Sequence, residues 1–98
     1  MLYNYRKDIT DLLAFIKYAC TELQKPFVKD ANEVLVQFRD RSFYLSYHKY
    51  PEWTDTYLGS KLSLIEKQLN DFDGNQHKVD FTELEKELNK CLKTIETL

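Results

Sequence analysis

Between Asp8 and Leu23 the apolar residues Ile9, Leu12, Leu13, Ile16, Ala19, Cys20 and Leu23 recur at three- and four-residue steps, the spacing of one face of an α-helix. Pro26 cannot extend that helix, because it has no amide N–H to donate and its ring clashes with the preceding turn. Asp8 stands where it can cap the first turn, and Asp11 adds negative charge near the positive end of the helix dipole. The spacing predicts a helix over 8–23.

Two periods fit the stretch from Glu33 to His48. In a strand reading Val34, Val36 and Phe38 share one face, and Phe43, Leu45 and Tyr47 share another. Ser42, Tyr44, Ser46 and His48 alternate with the second set, and Arg39-Asp40-Arg41 forms the turn. In a helix reading Asp30 and Glu33 have the spacing of a capping box. Ala31, Val34, Leu35, Phe38 and Leu45 then lie near one stripe, which Arg41 and Ser42 interrupt. The density of Val, Phe and Tyr favours the hairpin, although no glycine occupies its turn.

The helical period returns at Thr54. Leu58, Leu62, Ile65, Leu69 and Phe72 are spaced four, three, four and three, with Trp53 placed to staple onto Leu58 across a Thr54 cap. Phe81, Leu84, Leu88, Cys91, Ile95 and Leu98 repeat the scheme after a connection rich in turn formers. Asp80 caps this last helix, Glu83 reaches back, and Val79 staples onto Leu84. The pattern predicts a mainly helical α+β domain: a helix, a β-hairpin, then an antiparallel helix pair. The alternative is an all-α four-helix bundle in which the hairpin region is the second helix.

At 98 residues the chain has material for one hydrophobic core, so residues 1–98 form a single domain. Charge divides unevenly, with eight basic and six acidic residues in 1–49 against six and ten in 50–98, for a net charge of -2. That balance disfavours binding by phosphate neutralisation, so no nucleic-acid partner is expected. In the last helix Glu83 with Lys86, Glu87 with Lys90, and Lys93 with Glu96 are each three residues apart and can pair along a solvated face. The first residues turn charged at Arg6 too early for a signal sequence, and the apolar runs are too short to span a membrane. The two cysteines, Cys20 and Cys91, sit among apolar neighbours rather than in a disulfide framework. A cytoplasmic protein without a membrane partner is the expectation.

Motifs for chemistry are sparse. Asp71-Phe72-Asp73-Gly74-Asn75 and the following Asp80 and Glu83 alternate carboxylates as a calcium loop does. Thirteen positions run from Asp71 to Glu83 where such a loop has twelve, and Gln76 or His77 stands where it needs glycine. His48, His77, Cys20 and Cys91 lack the close spacing of a zinc site. With glycine only at Gly59 and Gly74, no phosphate-cradling motif can be written. No catalytic residue, metal ligand or cofactor is assigned.

The concentration of Phe38, Phe43, Tyr44, Tyr47, Tyr50, Trp53 and Tyr57 stands out. Phe38, Phe43 and Tyr47 are expected to fill the core. Tyr44 and His48 point away from it in the hairpin, while Tyr50 and Trp53 flank Pro51 in a surface connection. With Arg39 and Arg41 these form the expected partner-binding set, since Tyr, Trp and Arg are favoured interface anchors. The expectation is a small protein-binding module, an inhibitor or immunity-type neutraliser of an enzyme or toxin. A structural subunit of a larger assembly is the alternative, with a small enzyme behind it.

Overall fold

The computed structural model describes residues 2–73 and 79–96. They form four α-helices: α1 (Leu2–Leu23), α2 (Asn32–Phe43), α3 (Tyr57–Asp71) and α4 (Thr82–Glu96). Between α2 and α3 the chain makes a π-helical segment, Tyr44–Lys49, and a 3-10 turn, Pro51–Asp55. No strand occurs among the described residues. The β-hairpin is therefore overturned, and the all-helical alternative describes the fold.

Each helix runs antiparallel to its neighbours. Phe15 packs on Phe38 and Asp8 meets Lys49 where α1 crosses the second segment. Arg39 pairs with Glu66 between α2 and α3, and the Asp80 amide donates to Gln68 where α3 hands over to α4. Tyr5 near the start of α1 shares a groove with Cys91 near the end of α4, so the first and last helices close the square. The core on the axis includes Ile9, Leu12, Ile16, Phe38, Ile65, Leu69, Leu84 and Leu88, each almost wholly buried.

The hairpin fails because burial follows a helical stripe through Val34, Leu35, Phe38, Ser42, Leu45 and Ser46, while Val36, Phe43 and Tyr47 face solvent. Arg39-Asp40-Arg41 is not a turn but lies in the last two turns of α2. The two serines that interrupt the apolar pattern are buried at no polar cost. Ser46 donates its hydroxyl to the Ser42 carbonyl at 2.6 Å, and Ser42 donates to that of Arg39 at 3.4 Å. Their small size lets this segment approach Gly59 and Leu62 of α3, with which they line a cavity of only about 60 Å³.

Three details of the helix ends differ from the pattern-based expectation. Helix α1 begins at Leu2, so Asp8 lies inside it rather than at its cap. The cap of α3 is Thr56, whose hydroxyl accepts from the Gly59 amide at 3.3 Å, while Thr54 belongs to the 3-10 turn. At α4 the Asp80 carboxylate accepts from the Thr82 amide at 2.9 Å, and Glu83 pairs forward with Lys86. Residues 74–78 of the calcium-like loop, and Leu98, lie outside the described residues.

Candidate functional site

The aromatic stretch divides into two groups where the helix ends. Tyr50 precedes Pro51, and a residue before proline is pushed out of the helical region. Its backbone turns to φ -131°, ψ 66°, while its amide still donates to the Leu45 carbonyl at 2.6 Å. The aromatic residues from Phe43 to Tyr47, and His48, keep helical spacing and stay on the surface. Tyr50 and Trp53 turn inward.

The first group is Phe43, Tyr44, Tyr47 and His48. Phe43 and Tyr47 are four residues apart and stack at 5.1 Å, and Tyr44 and His48 form a tilted pair at 6.3 Å. Tyr44 is 57% and Tyr47 60% exposed, far more than a core role for Tyr47 would allow, and Phe43 is also exposed. The expectation that Phe43 and Tyr47 fill the core is thus reversed, because Leu45 takes the inward position between them. Phe43 and Tyr47 lie on the α3 side, beside Ser63 and Glu66. Tyr44 lies on the α1 side, beside Asp11 and Arg41.

The arginines flank this ridge in different ways. The Arg39 Nε donates to Glu66 at 2.9 Å. The guanidinium of Arg41 sits 4.6 Å from the centre of the Phe15 ring and donates to the Gln37 carbonyl. Both are held against the bundle, so they present themselves with little further ordering cost.

The second group is Tyr5, Tyr50 and Trp53. Tyr50 stacks on Trp53 at 4.9 Å, and Tyr5 stands nearly perpendicular to Tyr50 at 4.9 Å and edge-on to Trp53 at 6.0 Å. Trp53 is buried, contrary to its expected place in a surface connection. A β-carbon on Gly59 would collide with the Trp53 carbonyl oxygen and lie 3.1 Å from that of Thr54. The 3-10 turn therefore seats directly on the start of α3, at a residue without a side chain.

Asp8 ties this group to α1. One carboxylate oxygen accepts from the Tyr50 hydroxyl at 2.6 Å and from Lys49 Nζ at 2.7 Å. Burial acts to raise the Asp8 pKa, but the bonds from Lys49 and Tyr50 and the lysine charge outweigh it and hold the carboxyl below its ordinary value. The Tyr50 hydroxyl is pushed up by burial and by that same carboxylate. Burial, then the neighbouring Cys91 thiol, push Tyr5 up to about 12. Both phenols stay neutral through the physiological range.

These three rings also wall a groove of about 770 Å³ that Tyr57, Leu58 and Cys91 help to line. Sequence reasoning did not single out Tyr5 or Cys91 as site residues. The Tyr5 signal was present, since Tyr5 lies four residues before Ile9 and extends the apolar stripe of α1. Of the expected set, Tyr44 and His48 are brought together on the surface, Arg39 and Arg41 flank them, and Tyr50 and Trp53 belong to the second group.

Among the described residues no cluster of three metal-ligating side chains occurs, and no helix is long and apolar enough to cross a membrane. No family model matches the chain, and no curated protein or solved structure matches it.

Proposed function

We propose that the chain is a protein-binding module whose contact surface is the aromatic ridge from Arg39 to His48. The observation that carries this reading is the solvent-facing set Phe43, Tyr44, Tyr47 and His48, packed as two ring pairs within six residues. Large rings left in water forgo the burial that a small core could use, and their preferred contacts are with another surface. Pairing in advance restricts their rotamers, which lowers the ordering cost of association. The narrower role we attach is neutralisation of an enzyme or toxin by occlusion, which suits a small rigid bundle that presents one preformed face.

The site differs from the pattern-based set in one practical respect: Trp53 is a packing residue, so its removal tests stability rather than binding. The experiment is affinity capture from the native host with the domain as bait, beside a Tyr44→Ala, Tyr47→Ala variant whose helicity is checked by circular dichroism. One stoichiometric partner that the folded variant loses is the expected result. A partner retained at full strength by the variant, or capture by neither bait, overturns the reading.

A further inference from the structure

The groove on the other side of the Pro51 break makes no use of the ridge. Its walls come from four elements: Tyr5 from α1, Tyr50 and Trp53 from the 3-10 turn and its approach, Tyr57 and Leu58 from α3, and Cys91 from α4. Tyr5 and Tyr50 meet at 88°, which sets two aromatic walls at a right angle. At about 770 Å³ the space is of the size that holds a small organic molecule.

Charge in the lining selects the kind of molecule. It contains one basic group, Lys49, and two acidic ones, Glu52 and Glu87. Lys49 is engaged by Asp8 at 2.7 Å, and Glu87 by Lys90 at 3.2 Å from outside the groove. Glu52 is exposed and has no ion-pair partner among the described residues, so it is the unpaired charge of the lining itself. The rings of this region already attract ammonium groups of the chain itself. Lys61 Nζ sits 4.6 Å from the centre of Tyr57, and Lys49 Nζ 5.9 Å from that of Tyr50. Aromatic walls set at right angles beside a free carboxylate are the elements that recognise an alkylated ammonium, through the negative ring faces and one counter-charge.

We infer that this groove binds small organic cations, a substituted ammonium carried on an apolar body, with Tyr5 and Tyr50 contacting the cation and Glu52 balancing its charge. Leu58 and Cys91 supply the apolar surface for the rest of the ligand. This site is independent of the ridge and of any protein partner.

Trp53 is the chain's only tryptophan and lines the groove, so its emission reports occupancy. The test titrates the intact chain with benzyltrimethylammonium at constant ionic strength, using benzyl alcohol as the uncharged probe with the same ring. Saturable change with the cation is expected, with benzyl alcohol binding at least about fivefold more weakly. Glu52→Gln, at an exposed position that leaves the core untouched, is expected to weaken the cation by about fivefold and leave benzyl alcohol unchanged. Equal binding of the two probes, an unaltered cation affinity in Glu52→Gln, or no saturation with the cation would overturn the assignment.

Discussion

Two aromatic groups only a few residues apart in the chain meet opposite fates. Phe43, Tyr44, Tyr47 and His48 pair with one another along the outside of a helix, whereas Tyr50 and Trp53 join Tyr5 against the body of the bundle. Composition does not separate them, since both are rich in tyrosine and both adjoin cations. Backbone geometry does. Helical spacing fixes the first group beside an inward-facing Leu45, and the proline at 51 swings the second group across to α1 and α3. An aromatic residue in a small helical protein is therefore classified by the element that carries it, and its type alone says little about burial.

That contrast can be broken most severely at Trp53. Trp53→Ala removes a buried ring from beneath Tyr50 and Tyr5, and a loss of about 3–5 kcal/mol is expected from such a truncation. Chemical denaturation reads it directly, and a loss below about 1 kcal/mol would show that the turn does not need its ring. Asp8→Asn comes next. It removes the charge that holds Lys49 and Tyr50, at about 1–3 kcal/mol for charge-assisted hydrogen bonds. Because the folded state lowers the Asp8 pKa, its contribution is present above the ordinary carboxyl value of about 4 and is lost as pH falls through the folded value. The wild-type chain should lose stability across that acid window more steeply than Asp8→Asn. Identical pH slopes in the two proteins would refute the linkage.

The smallest effect sharpens the comparison from the other side. Tyr44→Ala with Tyr47→Ala should change stability by no more than about 1 kcal/mol, since each exposed substitution is typically within about 0.5 kcal/mol. A larger loss in the thermal midpoint would mean that the ridge is part of the bundle's own packing.

The helical periods of α1, α3 and α4 could be read from the chain because their buried positions are nearly all apolar and recur at three and four. The second segment could not be, for a reason that lies in two residues. Ser42 and Ser46 occupy buried positions that a pattern of apolar residues cannot register, and their hydroxyls bond to carbonyls of their own helix. With those positions discounted, alternate Val, Phe and Tyr residues imitate a strand. Tyr44 and His48 were expected outside from the hairpin, and they face solvent on the helix because neither falls on its buried stripe. Trp53 was misplaced because a proline-flanked connection normally runs over the surface, whereas here Gly59 opens a seat for it against α3. The groove needed tertiary structure, since its walls come from four elements separated widely along the chain.

The closure of the square by α1 and α4 bears on how the chain reaches this state. Helices α1, α2 and α3 can pair as consecutive hairpins while they are made, at small loop-closure cost. The face of α1 that α4 covers is closed only once α4 has been made. Until then the nascent chain carries an open apolar strip.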